Sequence, residues 1–565
     1  MKLVFRQYVA SLRERRELDV VLPDLLSELG YNVISRPSIG TRQYGVDVMA
    51  IGNDEGEDKV FLFSIKQGDL NRSEWSVGEQ SLRPSLEEIL DVYINLRIPI
   101  EYQHLKIVIC LCFGGEIVEA VRDNVTQFIK NHTTGVVEFK IWNGDKLAGL
   151  LADGILKEQL VGGGLRNSFQ KSVAMIDEPD IAFINFKSLV DGLVRGDSDD
   201  PKSRLTILRQ IYICLWVLFV WSRDAGNLEA SYRASELAML HAWKLISNDV
   251  GLTLKVSVDI GITFAELVEL HFHIWDEYLG LKVVPFVDQL HAVSASVGTS
   301  THIDVNLKLF EVMGRLAQRG LWMLWAETTD AGYPISCPGN VSVKAMALAG
   351  QVQALINNNP CLLSPIAEEQ STDICITLMF MSMIKEFEAF AVSYCKALAY
   401  NYYYCYSRHS NYPSIYRDYR VLVSHPAERS DDYREKHTKG SVIVPLISMW
   451  AAAKGETEET RNLAEFVNSR MSHCNFQFWF FGADTEHQLY TEGSSHGLAL
   501  TNVPITSDGA TAVELLGAEC ERSTAYQSLS AVSLGHWPIV VVACRHHRLP
   551  LPPDLWLPIL KGISV

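Results

Sequence analysis

The chain has no unbroken run of apolar residues as long as a bilayer span. Its most apolar stretch, Tyr212-Ile-Cys-Leu-Trp-Val-Leu-Phe-Val-Trp221, falls far short of the ~20 residues a span needs and reads as a buried helix. The opening Met1-Lys-Leu-Val-Phe-Arg-Gln7 lacks the apolar core of a secretory signal. The 11 cysteines follow no repeated spacing, and that odd, unpatterned set predicts reduced thiols and a cytoplasmic protein without a membrane partner. No Gly-x-x-x-x-Gly-Lys-Ser/Thr loop occurs, so the chain carries no recognisable P-loop engine. Basic excess is also missing. The net charge is −17, which excludes a surface that clamps nucleic acid all over and leaves only local contact. Half-apolar composition, at 48%, excludes a long disordered tail, and the length of 565 residues exceeds what one core supports.

What is present concentrates near the N-terminus. Tyr44-Gly-Val-Asp-Val-Met-Ala-Ile-Gly52 and Lys59-Val-Phe-Leu-Phe-Ser-Ile-Lys66 are β-branched and aromatic runs bounded by polar turn residues, and they predict a hairpin. The hairpin places Asp47 near one strand end and Lys66 near its neighbour. A carboxylate to hold a divalent cation and a lysine to orient or deprotonate water suit metal-assisted phosphodiester cleavage. Around them, Leu18 to Gly30 reads as a helix with a glycine C-terminal stop, and Tyr31 to Ser35 as a first strand. A helix over 85–95, a buried strand over 105–113, a helix over 117–129, a strand over 136–142 and a helix through Leu151 follow. The order α-β-β-β-α-β-α-β-α predicts a mixed sheet flanked by helices.

This succession resembles the PD-(D/E)XK nucleases of the Mrr-like restriction endonuclease group, over the first third of the chain. The residues that carry the resemblance are Leu18-Asp19 on the first helix, Leu29-Gly-Tyr31, Gly45-Val-Asp47 and Ser64-Ile-Lys66. It implies a restriction-endonuclease-like α/β domain in which Asp47, Ser64, Lys66 and Asp19 are catalytic. The metal, Mg²⁺ or Mn²⁺, would be held by Asp47, the Ile65 backbone carbonyl and Asp19. The family carries Glu, or Gln in Mrr-like members, where this chain has Ser64, and a neutral hydroxyl is a weaker Mg²⁺ ligand than a carboxylate. Gln67, Asn71 and Arg72 leave the catalytic strand where nucleic acid would approach and read either as DNA contacts or as an ordinary surface loop; as contacts, they form a local basic patch with Lys66, Arg13-Glu-Arg-Arg16 and Arg83.

The layout expected is a nuclease-like domain over 1–165, a linker over 166–203 containing Gly196-Asp-Ser-Asp-Asp-Pro-Lys202, a mainly α-helical domain over 204–472, and a small mixed α/β region over 473–565. Helices are expected over 204–221, 228–247, 264–279, 305–318, 341–357 and 373–398, with no fixed-period repeat. Phe476–Phe481 and Trp537–Ala543 read as strands. Cys544, His546 and His547 lack the spacing of a zinc site, and His425, His437, His473, His487 and His496 stand scattered. The expected function is a metal-dependent DNA endonuclease, in the manner of a bacterial restriction or phage-defence effector. Its helical part would sense a phage-derived trigger, bind a protein partner or set a homo-oligomer. The alternative is a degenerate, non-catalytic nuclease fold that binds DNA or protein.

Overall fold

The computed structural model describes residues 2–35, 43–78, 81–154, 163–195, 200–298, 301–328, 341–482, 486–492, 498–500 and 503–562. A five-stranded sheet organises the N-terminal part. Its strands are β1 (Asn32–Ser35), β2 (Val48–Asp54), β3 (Glu57–Lys66), β4 (Lys106–Phe113) and β5 (Val137–Trp142), side by side in chain order. The β1–β2 and β2–β3 pairs are antiparallel, and β3–β4 and β4–β5 are parallel. The hairpin turn is tighter than the sequence suggests. It consists of Glu55 and Gly56 alone, at φ 55° and 88°, and Asp54 pairs with Glu57. Two left-handed residues give the strand twist that a two-residue hairpin requires.

Helices cover both faces. Before the sheet come α1 (Lys2–Ser11), a π-helical turn (Glu14–Leu18) and α2 (Asp19–Glu28). Between β3 and β4 lie α3 (Arg72–Ser76) and α4 (Leu82–Glu88), which runs on through a π-helical turn (Ile89–Tyr93) into α5 (Ile94–Leu96). α6 (Glu119–His132) joins β4 to β5, and α7 (Gly144–Gly154) follows β5. On one face, Val60 and Leu62 of β3 share a buried core with Leu82, Leu86, Leu111 and Val121. On the other, Phe61 and Phe63 meet the edges of Tyr31 and Trp142, each 5.0 Å between centroids.

The chain forms two compact units, Met1–Ala234 and Ser235–Val565. The stretch expected as a linker carries α8 (Gly163–Ala174) and α9 (Pro179–Val194), with Phe186, Leu189, Val190 and Leu193 buried at helical spacing. Gly196 to Asp199 lie outside the described residues, and Asp200 then caps α10 (Pro201–Asp224) by accepting from the Ser203 amide. α10 packs on α1, α2, α8 and α9, so these helices belong to the first unit. Among the described residues, α10 is the one helix long and apolar enough to cross a membrane, and 89% of its most apolar window is buried inside the protein.

The second unit is mainly helical. Helices Lys255–Trp275, His302–Thr328 and Val341–Asn358 fall where helical spacing put them. The expected single helix over 373–398 is two, Ser371–Ser382 and Glu388–Ser407, separated by a 3₁₀ turn. Phe478–Phe480 is a strand, paired with Leu498–Leu500, but Trp537–Ala543 is not. It forms the helix Pro538–His546, with Pro538 in the first turn, where its fixed φ and missing N–H are harmless, and Val540, Val541 and Val542 fully enclosed. Cys544 is buried within that helix, and His546 Nδ1 lies 3.4 Å from Glu236 Oε2. His425 and His437 are not scattered. They stack with ring centroids 4.8 Å apart, their nitrogens on the Tyr412 carbonyl and the Ser414 hydroxyl. His496 lies outside the described residues.

Candidate active site

Asp47 is delivered to the sheet by a sharp bend. Tyr44 and Gly45 both take left-handed backbone, at φ 50° and 79°. A Cβ on Gly45 would lie 2.1 Å from the Ser85 carbonyl oxygen, so only glycine passes α4 here. Val46 is then buried, and Asp47 attaches to β3 twice. Its amide donates to the Phe63 carbonyl at 2.8 Å, and its Oδ2 accepts from the Ile65 amide at 2.7 Å. Its carboxyl pKa is raised from 3.8 to about 6. Burial is the largest cause. The Ile65 hydrogen bond and the Lys66 charge oppose it, and the charges of Glu14 and Asp19 add to it.

Four of the groups involved therefore meet in one electrostatic neighbourhood. Lys66 is at the end of β3, only 8% exposed, and its Nζ lies 3.0 Å from Glu14 Oε1. Asp19 opens α2, partly buried, and its charge reaches Asp47. Ser64 is buried two residues before Lys66 and so on the same face of the strand. Ile65, expected to supply a carbonyl, supplies its amide to Asp47. Cys112, opposite Ile65 on β4, has its thiol pushed up by burial and by the Asp47 charge, so it is a neutral wall rather than a nucleophile. Glu14 is the residue that sequence reasoning missed. It lies inside the Arg13-Glu-Arg-Arg16 run, which reads as a basic patch, and nothing local announces that its turn folds back onto β3. The side chains of Arg15 and Arg16 lie outside those described.

The expected nucleic-acid contacts are all at the surface beyond Lys66: Gln67, Asn71 and Arg72 are exposed. Asn71 has a structural duty. Its Oδ1 accepts from the Ser73 and Glu74 amides at 2.8 and 3.1 Å and caps α3. Arg83 pairs with Glu87 on α4 at 3.0 Å. The loop itself is held in place, since the Gly115 amide donates to the Gly68 carbonyl and the Leu70 amide to the Glu116 carbonyl.

Three carboxyl groups around one ammonium leave a negative excess, which adds to burial in raising the Asp47 pKa to about 6. A divalent cation would relieve the same excess. Mg²⁺ is commonly held by one or two carboxylates, with water and phosphate oxygens filling the remainder, and Asp47 with Glu14 or Asp19 offers that donor set. Among the described residues, no three His, Cys, Asp or Glu side chains are placed to hold an ion unaided. No family model matches the chain, and neither a curated protein nor a solved structure does.

Proposed function

We propose that this chain is a metal-dependent DNA endonuclease of the PD-(D/E)XK type, built on the first unit. The observation that carries the reading is the coupling of Asp47 and Lys66. They come from the ends of adjacent strands, with Glu14 and Asp19 acting on the same carboxyl. Asp47, with the Ile65 carbonyl and support from Asp19, would hold Mg²⁺ or Mn²⁺. When bound, such an ion polarises a phosphoryl oxygen and lowers the pKa of a water. Lys66 directs its ammonium toward the attacked phosphate and stabilises the charge that develops there. Glu14 holds that ammonium in place until substrate arrives. Ser64 contributes a hydroxyl where the family has a stronger ligand. DNA is the substrate class, met locally by Gln67, Arg72 and the exposed loop, because the net charge of −17 opposes any wider footprint. The second unit would sense a trigger or partner, which suits a bacterial restriction or phage-defence effector.

Plasmid nicking with Mg²⁺ or Mn²⁺ tests this. Wild type should nick, and Lys66→Ala and Asp47→Ala should each lose at least about two orders of magnitude, the scale of losing an electrostatic catalytic group. Equal rates in all three proteins would reject the assignment. Two observations favour a second reading, a non-catalytic DNA- or protein-binding module: Ser64 offers no charge, and Lys66 is occupied by Glu14. That reading expects gel-shift binding of DNA without nicking under any divalent cation.

A further inference from the structure

The turn that presents Glu14 rests on a second, deeper ion pair. Glu17, three residues on, has a side chain only 1% exposed. Its Oε1 meets Arg223 Nη1 at 2.6 Å, and its Oε2 accepts from the Arg13 amide at 2.8 Å. Arg223 also donates Nη2 to the Ser11 carbonyl at 3.3 Å, and its guanidinium lies 5.5 Å from the Phe219 ring centroid. One guanidinium, from the last turn of α10 and 206 residues along the chain from Glu17, thus grips both the end of α1 and the π-helical turn. π-helical turns are rare and occur frequently at functional sites, so an outside clamp on this one is informative. A buried carboxylate–guanidinium pair adds little net stability over well-packed apolar side chains of similar volume. Stability alone is a weak reason to keep it, whereas fixed geometry is a good one.

We propose that Arg223 is a positioning residue for the site. By clamping Glu17 it fixes the Glu14–Leu18 turn, and that turn holds Glu14 against Lys66. The functional half of this assignment rests on the reading of Asp47 and Lys66 as nuclease residues. The structural half stands without it.

The test uses the full chain. Arg223→Met alone leaves the buried Glu17 carboxylate to the more distant Arg13 guanidinium, 3.6 Å away, and risks unfolding. The informative protein is therefore the double variant Glu17→Gln/Arg223→Met, which removes both charges at similar volume, beside Arg223→Lys and Glu14→Gln. The first readout is the rate at which an N-hydroxysuccinimide acetate labels each lysine, followed by peptide mass spectrometry. Lys59 is the internal control. It lies on the same strand and is held by its own ion pairs with Asp54 at 2.8 Å and Glu138 at 3.1 Å. Lys66 should label several-fold faster in the double variant and in Glu14→Gln, and less so in Arg223→Lys, with Lys59 unchanged throughout. A folded double variant in which Lys66 labels at the wild-type rate overturns the proposal. If the double variant does not fold, Arg223→Lys decides in the same way, because a lysine lacks the fork of two nitrogens with which Arg223 holds Glu17 and Ser11.

The second readout is nicking with Mg²⁺. The double variant should lose about 10- to 100-fold in kcat with little change in KM for plasmid, the scale expected when a reacting group is misplaced by about 1 Å. Faster labelling of Lys66 with undiminished nicking overturns the functional half. Faster labelling when no protein nicks, wild type included, keeps the positioning assignment and removes the nuclease reading instead.

Discussion

Asp47 carries the cost of the candidate site. Its pKa of about 6, against 3.8 for an ordinary aspartate, means that the folded state takes up its proton before the unfolded state does. At low pH both states are protonated and the group is neutral in its effect. As pH rises from near 4 to above 6, the folded state must ionise a carboxyl that burial, Glu14 and Asp19 all disfavour, and stability falls by about 3 kcal/mol. Asp47→Asn keeps an oxygen to accept from the Ile65 amide and removes the charge. The variant should therefore unfold at a higher denaturant midpoint than wild type at pH 7.5, and the two should converge near pH 4. A group that destabilises its own fold at neutral pH is a mark of function over stability. The same variant separates cation binding from folding. Mg²⁺ should raise the melting temperature of wild type by binding the folded state, and should leave Asp47→Asn unmoved. An equal rise in both proteins would place the cation elsewhere.

Among the elements, the bend before β2 is the most exacting junction, because it must turn left-handed while touching α4. Gly45→Ala combines a φ of 79° with a Cβ 2.1 Å from the backbone oxygen of Ser85, which cannot swing aside as a side chain would. The expected loss is roughly 2–4 kcal/mol, and thermal melting of the full chain would measure it. The hairpin and the run of strands were legible in the sequence, because Gly-Val-Asp and Ser-Ile-Lys punctuate two apolar alternations, but this bend was not, since Tyr44 to Gly52 reads there as one strand. The cap at Asn71 was missed, because the polar run from Gln67 to Trp75 reads as a turn-rich stretch and Asn71 as a nucleic-acid contact, whereas its side chain starts α3. Nor was the helix Pro538–His546 legible. A valine run favours a strand by local preference, and only enclosure on all sides and the proline in its first turn make it helical. The break between Ser371–Ser382 and Glu388–Ser407 was equally silent, because no glycine or proline marks residues 383–387. Glu14 stayed hidden for the same kind of reason, since what makes it a site residue is a long-range return of its turn to Lys66.

On the scale of the molecule, the question is how much chain the site needs. The sequence placed the end of its domain near residue 165, where polar residues thin the apolar pattern. Physical contacts place it later. Arg209 on α10 pairs with Glu28 at the end of α2 at 2.7 Å, Arg223 pairs with Glu17 at 2.6 Å, and Phe5 of α1 stacks near Phe169 of α8 at 6.4 Å. A fragment cut at 165 would keep Glu17 and Glu28 and lose Arg223 and Arg209. Removing one partner of a buried pair costs about 3–5 kcal/mol, and the faces of α1 and α2 that α8 and α10 cover would be exposed as well. That sum is comparable with the whole stability of an ordinary domain, about 5–15 kcal/mol. We therefore expect residues 1–234 to melt cooperatively by circular dichroism, and residues 1–165 to be expanded, without a sharp transition and bound by hydrophobic dyes. A sharp transition in the shorter fragment at a temperature close to that of the longer one would show that α8 to α10 are accessories. The site would then belong to the sheet and its first helices alone, and Arg223 would lose its claim on it.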